Sequence, residues 1–287
     1  MGQLRLVIAT FVATAVVVGG TSTAEAGERP VVHTDYRAAE FSHPAAITNA
    51  SYPLAAGTRF TYEGSANRGG SVSAHKVVLT VTDLVKKIDG LNTRLLWDVD
   101  SSDGVVNEAE LAFVAQDDDG NVWNMGEYPE EYDAGQFTGA PRTWLVGVGD
   151  ALAGVGMRYI PRPHTSQYLQ AYIASIQFGD VAVVEKIIPK LCIKLGCFKQ
   201  VVQIRETNIF ASAEGYQLKY YAPGLGNIRI DFIGGTEQES LELTKVERLN
   251  RGEVTAARNA ALRLDRRAYH TVSDVWGDSP PAHREGE

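Results

Sequence analysis

The sequence has little cysteine and no excess of positive charge. Its 287 residues include two cysteines and three methionines, with 27 lysines and arginines against 35 aspartates and glutamates. The formal net charge is −8 and the isoelectric point is near 5.3. A surface of this sign is repelled by nucleic-acid phosphates, and no basic cluster stands out to offset it. We therefore expect no nucleic-acid partner.

The sequence also lacks the short motifs of the common enzyme classes. It contains no serine nucleophile elbow, no HExxH, no P-loop and no dinucleotide-binding fingerprint. No pair among the six histidines has the spacing of zinc ligands. We predict no cofactor and no metal site. A hydrolase triad stays open, because its members meet in space rather than in sequence.

Long apolar runs are absent beyond the N-terminus. Arg5 is followed by the apolar stretch LVIATFVATAVVV and then by Ala24-Glu25-Ala26, a small-x-small cleavage pattern. We predict a signal peptide over residues 1–26 and a secreted or extracytoplasmic location in the cell envelope. The apolar stretch is short for a membrane span, so we expect no stable span after cleavage; an uncleaved anchor is the alternative.

Export makes pairing of the two cysteines the favoured interpretation. Cys192 and Cys197 are five positions apart in LCIKLGC, so a disulfide between them would close a small loop. A redox or metal pair is the alternative. It is disfavoured because the C-x-x-C spacing is missing and no histidine lies nearby.

Alternation with a period of two dominates the chain after residue 57. Phe60 and Tyr62 share one face of a predicted strand, and later segments repeat the pattern. Asp-Gly pairs at residues 89–90, 103–104 and 119–120 are typical of successive hairpins. The absence of strand-helix-strand alternation excludes a parallel sheet. We predict an all-β fold, an antiparallel meander of about ten to twelve strands forming a barrel or a curved half-barrel.

The two ends of the chain differ from this meander. Residues 27–56 hold prolines without a sustained period, which indicates an extended leader laid across the domain. Residues 57–250 form the β domain, and residues 251–287 a helix with a loose tail. The helix is predicted over residues 253–269, where Ala, Leu and Arg are frequent and Gly and Pro are absent. Its alanine-rich stripe favours docking, either on the sheet or over an open end of the barrel, rather than binding to a membrane surface.

The acidic stretch AQDDDGNVWNMGE, residues 115–127, raises the question of calcium. Aligning Gly120 with the glycine of an EF-hand loop places Ala115 and Gly126 where two carboxylates are required, so the template fails. A looser calcium site at Asp117 and Asp119 is an alternative. A hairpin turn is the better account, because Asp, Asn and Gly suit tight turns.

Strand alternation predicts a site just after this turn. If residues 121–127 are a strand, Trp123, Met125 and Glu127 share a face, and the carboxyl lies in line with two large apolar side chains. Such surroundings raise a carboxyl pKa and suit a general acid or a hydrogen-bond donor. The alternative is a solvent-exposed Glu127 at the strand end. We assign Glu127 as the candidate catalytic residue and Trp123, Met125, Trp144 and Tyr221 as candidate ligand-binding residues.

Three segments resemble recurring segments of a family of uncharacterised exported bacterial proteins. They are ITNASYPLAAGTRFTYEG, FVAQDDDGNVWNMGE and LKYYAPGLGNI. Family members read NPYFPLKPGTTWVYEG, WYAQDKDGNVWYFGE and KYYAPGVGLV, in the same order. The likeness runs from about Asn49 to Phe232, and the middle segment matches at Gln116, Asp117, Gly120, Asn121, Trp123, Gly126 and Glu127.

This chain departs from the family pattern in several places. Ala50 and Ser51 replace Pro-Tyr, Asn124 and Met125 stand where aromatics are usual, and an insertion carries the cysteine pair. The resemblance brings no known reaction. More loosely, the architecture is similar to lipocalin-like barrels and lipoprotein carriers, which hold hydrophobic ligands, and to cofactor-free β-barrel cyclases of polyketide pathways.

These observations lead to three hypotheses for function. The first is an exported barrel that binds a hydrophobic small molecule or lipid in its interior. The second is a cofactor-free cyclase or isomerase in the same cavity, with Glu127 or a tyrosine polarising a carbonyl. The third is a structural cell-surface module with a packed interior and no ligand.

Overall fold

The computed structural model describes residues 31–68, 70–212, 215–236 and 238–287. The predicted signal peptide and residues 27–30 of the leader lie outside these residues. Fifteen strands are present in the described residues. They are β1 Thr58–Arg68, β2 Ser71–Ile88, β3 Leu91–Ser102, β4 Val105–Gln116, β5 Val122–Asp133, β6 Gln136–Gly139, β7 Trp144–Leu145, β8 Leu152–Met157, β9 Tyr168–Ile173, β10 Phe178–Ile193, β11 Gly196–Asn208, β12 Tyr216–Ala222, β13 Gly226–Ile233, β14 Gln238–Arg248 and β15 His283–Arg284.

Twelve of these strands form a closed antiparallel barrel. The order around the ring is β1, β14, β13, β12, β11, β10, β9, β8, β5, β4, β3 and β2, and β2 pairs again with β1. The short strands β6 and β7 pair with β5, and β15 pairs with β2, outside the ring. The prediction of an all-β antiparallel fold is confirmed, and of its two forms the closed barrel is the one observed.

Two of the Asp-Gly pairs make tight hairpin turns. Asp89 and Gly90 have φ angles of 43° and 86°, and Asp103 and Gly104 have 49° and 82°. Positive φ at both central residues is the type I′ geometry that matches the twist of two paired strands. Each pair is flanked by directly opposed strand residues, Ile88 with Leu91 in the first case and Ser102 with Val105 in the second.

The predicted C-terminal helix is confirmed as α1, Arg251–Thr271, followed by the short helix α2, Ser273–Trp276. A capping box between Asn250 and Glu253 begins α1 and satisfies two backbone N–H groups. Its small buried face includes Ala257, Ala261 and Ala268. The helix docks on the wall of the barrel rather than on an open end, since its contacts are with β2 and β4.

The docked helices identify the outer face of the wall. The Trp276 ring lies 5.6 Å from the Phe113 ring and 5.2 Å from the Tyr128 ring. Because residues directly opposite each other on neighbouring strands share a face, the register then separates outer from inner residues. Leu111 is opposite Tyr128 and points outward, so its neighbours Glu110 and Ala112 point inward.

The described part of the leader crosses one end of the barrel. Asn49 Nδ2 donates to Gly120 O at 2.9 Å, and Gly224 N donates to Ala50 O at 2.7 Å, so the leader binds the β4–β5 and β12–β13 turns together. Tyr52 is buried there against Tyr221, with ring centroids 5.6 Å apart. We call this end of the barrel the leader end.

A buried ion pair attaches α1 to the barrel. Lys86 Nζ donates to Asp265 Oδ1 at 2.9 Å, and both side chains are 0–1 % exposed. The same ammonium donates to Tyr269 Oη at 3.1 Å and to Pro280 O at 2.9 Å. Asp265 also accepts from Trp276 Nε1 at 3.0 Å and from Ala282 N at 3.0 Å. One carboxylate therefore joins β2, both helices and the C-terminal tail.

We predict that Asp265→Ala lowers the free energy of unfolding by about 3–5 kcal/mol, because it leaves the Lys86 charge buried without its partner. Urea denaturation followed by circular dichroism measures the loss. Glu247→Ala is the control, since its pair with Lys245 is largely exposed and its loss is expected to cost under about 1 kcal/mol. Equal losses in the two variants would contradict a stabilising role for the buried pair.

Candidate ligand site

A β-bulge divides the predicted site in β5. Asn124 lies opposite Val114 and Gly126 lies opposite Phe113, so Met125 has no opposing residue in the pairing of β4 with β5. The extra residue reverses the alternation of faces. The prediction that Trp123, Met125 and Glu127 share one face is therefore wrong: Glu127 shares its face with Asn124, not with Trp123.

Glycine at position 126 lets β7 approach the bulge. A Cβ atom there would lie 2.8 Å from Trp144 O and 2.6 Å from Leu145 Cδ2. These contacts are too close for any other residue, so the pairing of Gly126 with Leu145 and of Glu127 with Trp144 depends on glycine.

Trp123 lies on the outer face, under the leader. Its ring is 6.1 Å from the rings of both Tyr36 and Phe41. Its Nε1 donates to Asp117 Oδ2 at 2.8 Å, and Asp117 Oδ1 accepts from Asn121 N at 2.7 Å. Both oxygens of Asp117 thus hold the β4–β5 turn together, which supports the turn interpretation of the aspartates.

Glu127 and Trp144 lie together on the inner face. Trp144 Nε1 donates to Glu127 Oε2 at 3.0 Å, and Glu127 is 3 % exposed. Burial raises the pKa of Glu127 well above its ordinary value, and the charges of Asp180 and Glu108 add to the shift although the Trp144 hydrogen bond opposes it. The structure thus joins two of the predicted residues. Their roles stay predictions.

Glu127 belongs to a larger cluster of buried carboxyl groups that the sequence analysis missed. We call it the acidic interior, and its members come from six strands. They are Asp98, Asp100, Glu108, Glu110, Glu127, Asp180, Glu206 and Glu239, all at most 5 % exposed. Asp98 is opposite Glu110 and Asp100 is opposite Glu108, on the face that the register places inside. The charges of Asp180 on β10 and Lys219 on β12 also shift the pKa of Glu127. Neither strand is next to β5 in the ring, so these groups face one another across the interior.

Fewer basic groups reach this interior. Lys219 Nζ lies 2.6 Å from Glu206 Oε2. His75 lies between two acids, with Nδ1 3.4 Å from Asp100 Oδ1 and Nε2 3.4 Å from Glu239 Oε2. Burial opposes the charged form of His75, but these carboxylates outweigh burial and raise its pKa. Arg68 and Arg142 lie at the edge of the cluster, 3.9 Å from Asp100 and Glu108 respectively.

Burial and the neighbouring acids together raise the pKa values of two carboxyl groups in this cluster. Burial raises the pKa of Asp98 well above its ordinary value, and Asp100, Glu108 and Glu239 raise it further. Burial, aided by Glu206, raises the pKa of Asp180 to about 7, against the opposing effect of Lys219. Asp98 Oδ1, Asp180 Oδ1 and Glu239 Oε1 accept no hydrogen bond from any described residue.

Tyrosines line the interior beside the acids. Tyr221 shares the inner face with Lys219 of the same strand, and the charges of Glu206, Tyr52, Tyr168 and Tyr62 act on it. Burial is the main cause that raises the pKa of Tyr221 and of Tyr52. Both phenols therefore stay neutral over the physiological range and offer π faces and polar hydroxyl groups.

A cleft borders the acidic interior where β13 and β14 separate. These strands pair at Arg229 with Glu242 and at Ile230 with Leu241. Beyond that point a cleft of about 500 Å³ opens, lined by residues of β1, β12, β13 and β14 that include Asn67, Phe232 and Glu239. A cleft of about 690 Å³ lies between the leader and the C-terminal tail, and its lining contains no member of the acidic interior. The smaller cleft is thus the one beside the cluster.

The sequence contained a signal for this cluster that is easily misread. Asp98 and Asp100 alternate with Trp97 and Val99, a pattern that ordinarily places the acids in solvent. In the barrel the acids are buried, whereas Trp97 and Val99 are partly exposed on the outer face. The spacing was visible in the sequence, but the direction of each face was not.

Comparisons with known proteins show distant structural likenesses. No protein-family model and no curated protein matches the sequence. A candidate lipoprotein from Parabacteroides distasonis has 12 % identity and a TM-score of 0.39, covering 69 % of this chain and 99 % of its own. A candidate exported protein with a YmcC-like fold from Bacteroides fragilis has 12 % identity and a TM-score of 0.35, covering 70 % and 100 %. Because both TM-scores lie below 0.5, neither likeness assigns this chain a fold or a function.

The structure contains the predicted disulfide between Cys192 and Cys197. Such a bond is typical of proteins outside the reducing cytoplasm, which agrees with the predicted extracytoplasmic location. Among the described residues, no helix has the length and apolarity needed to cross a membrane.

We predict that Asp180→Asn changes the pH dependence of stability. A carboxyl whose pKa rises from 3.8 to about 7 on folding favours the folded state most below pH 4, and this contribution is lost as the pH rises to about 7. The variant should therefore gain stability relative to the wild type over that window, by at most about 4 kcal/mol. Urea denaturation at intervals from pH 4 to pH 8 measures the difference.

The control for this prediction is Asp150→Asn. Hydrogen bonds from Ser175 lower the pKa of Asp150, so its contribution has the opposite sign and is lost only as the pH falls through the acidic range. This variant should show no relative gain between pH 4 and pH 8. Parallel profiles for the wild type and Asp180→Asn would contradict the prediction.

Proposed function

We propose that this exported β-barrel binds a small organic cation in its acidic interior. The observation that carries the proposal is the convergence of eight buried carboxyl groups on one space. The basic groups within 4 Å of these carboxyl groups, among the described residues, are fewer: Lys219, His75, Arg68 and Arg142. Buried like charges destabilise a folded protein unless they are neutralised. A cationic ligand would supply the missing positive charge.

The hydrogen-bonding capacity of the interior supports the same ligand class. One oxygen each of Asp98, Asp180 and Glu239, namely Oδ1, Oδ1 and Oε1, has no donor among the described residues. An ammonium group carries three donors and a guanidinium five, and bonds from such groups to carboxylates are stronger than neutral ones. Ligand donors at these oxygens would satisfy groups that burial otherwise leaves without partners.

The aromatic lining supports a ligand that is cationic and partly apolar. Tyrosine faces attract cations, and Tyr52, Tyr221 and Trp144 also offer apolar surface. From the sequence alone, the expected ligand is a hydrophobic small molecule or lipid. The acidic interior favours instead a molecule in which an apolar portion is joined to a positively charged group.

The cleft between β13 and β14 is the proposed entrance. It is lined by Glu239, whose carboxylate lies 3.4 Å from His75 and so connects the cleft to the rest of the cluster. A volume of about 500 Å³ lies within the range of small-molecule sites. Entry there requires no opening of the leader end.

A cyclase or isomerase in the same interior is the second candidate. Glu127 supports it, because a buried carboxyl with a raised pKa, oriented by Trp144, can donate a proton or a hydrogen bond to a carbonyl. Such an enzyme loses its turnover when Glu127 becomes glutamine, whereas a binding protein loses only the part of its affinity that one carboxylate supplies, about tenfold. Binding and turnover measured on Glu127→Gln therefore separate the two functions.

A matched series of eight-carbon probes tests the proposed ligand class. Octylamine is a cation at neutral pH, octanol is neutral and octanoate is an anion, so the three differ mainly in charge. We expect octylamine to bind at least about tenfold more tightly than octanol, and octanoate not to bind, because the interior attracts positive charge. Isothermal titration calorimetry on the full protein measures the three affinities.

Two variants locate the site. Glu239→Gln and Asp98→Asn should each weaken octylamine binding by about tenfold, because each removes one carboxylate. Asp133→Asn removes an exposed acid outside the interior and should leave the affinity unchanged. Equal affinity for octylamine and octanol would support a hydrophobic ligand instead, and binding of neither would refute the proposal. Thermal melts confirm that each variant is folded.

A further inference from the structure

A basic hairpin projects from this acidic protein. The ends of β10 and β11 form it over residues 186–199, which we call the lysine hairpin. Its fourteen residues include four lysines and no aspartate or glutamate, in a chain whose net charge is −8. The hairpin is therefore positively charged, whereas the protein as a whole is negatively charged. The lysine hairpin is therefore a distinct electrostatic feature.

The pairing within the lysine hairpin collects the lysines on one face. Lys190 lies directly opposite Lys199, and Cys192 lies opposite Cys197. Because alternate residues share a face, Lys186 projects on the same side as Lys190, and Lys194 follows in the turn. Like charges directly opposite each other weaken strand pairing. The disulfide at the tip covalently holds together two strands that this repulsion would otherwise separate.

The other face of the lysine hairpin is apolar and lies against the barrel. Leu191 is opposite Phe198, and both are half-buried against the hydrophobic core, as is Ile193. Lys194 N donates to Glu242 Oε2 of β14 at 3.4 Å, which places the tip beside the barrel wall. The apolar face therefore has its partner within the protein, whereas the lysine side chains of the opposite face are exposed.

The four lysines are available to an external partner. All four side chains are exposed, and none of their ammonium groups forms an ion pair with a residue that the structure describes. Leu195, at the turn between Lys194 and Gly196, is 42 % exposed. An exposed apolar residue at the tip of a basic face is the arrangement that suits contact with a lipid interface.

We propose that the lysine hairpin docks the protein on an anionic lipid bilayer. The proposal rests on charge complementarity, since four exposed ammonium groups would face anionic lipid headgroups. Lysine ammonium groups are point charges that impose no fixed geometry, so they suit a fluid array of headgroups rather than one shaped ligand. An exported protein meets such a surface outside the cytoplasm.

Vesicle sedimentation tests the docking surface. The full, oxidised protein is incubated with sucrose-loaded vesicles of phosphatidylcholine alone or with 30 % phosphatidylglycerol, at low salt and again in 0.5 M NaCl. We expect binding to the anionic vesicles only, and its loss at high salt. Because each lysine near an anionic surface contributes roughly fivefold to partitioning, Lys190→Gln with Lys199→Gln should reduce binding roughly 30-fold.

The matched control is Lys76→Gln with Lys245→Gln. It removes the same charge from two exposed lysines on the barrel wall, which pair with Glu63 and Glu247. It should change vesicle binding less than about threefold, because only the distant net charge is altered. Replacing the opposed lysines relieves repulsion within the hairpin, so that variant is expected to fold, and its melting temperature verifies this.

Three results would overturn the proposal. They are equal binding to neutral and anionic vesicles, equal losses in the two double variants, and failure to bind anionic vesicles at low salt. If the protein bound soluble polyglutamate but not the vesicles, the lysine hairpin would be a surface for an acidic protein rather than for lipid. None of these results depends on the ligand of the acidic interior.

Discussion

The pairing of β1 with both β2 and β14 closes the sheet, and the other features depend on that closure. A closed antiparallel sheet has no unpaired edge, and it separates an enclosed face from an outer one. Side chains of strands that are far apart in sequence then share one interior. Asp98 of β3, Asp180 of β10 and Glu239 of β14 belong to the same cluster for this reason.

The barrel reverses the usual distribution of polarity along part of its wall. Helices α1 and α2 cover the outer face of β2, β4 and β5 and bury apolar residues such as Phe113 there, while the facing interior holds carboxyl groups. Burying several carboxylates close together is unfavourable, because each loses its hydration and repels the others. The raised pKa values of Asp98, Glu127 and Asp180 reflect this destabilisation of the charged form. Carboxyl groups with strongly raised pKa values are common in ligand-binding and catalytic sites. The electrostatics of the interior therefore agree with the proposed function.

Charge is also segregated on the outside of the molecule. Eight carboxyl groups are buried together inside the barrel, and four lysines are gathered on one exposed hairpin. The two proposals concern opposite signs of charge at separate places. A cation in the interior and an anionic surface at the hairpin are therefore compatible, and each can be correct without the other.

The sequence by itself determined the antiparallel strands, the Asp-Gly turns, the C-terminal helix and the disulfide, because each depends on residues close together in the chain. It also indicated Glu127, and the structure places that residue in the interior beside Trp144. It misplaced Trp123, because one bulge residue at Met125 reverses the faces and local alternation does not reveal a bulge. Only the tertiary structure decided that the sheet closes and that the acids of β3 and β4 point inward. Those outcomes depend on which strands meet and on where the helices dock, and the tertiary contacts join residues up to about 200 positions apart.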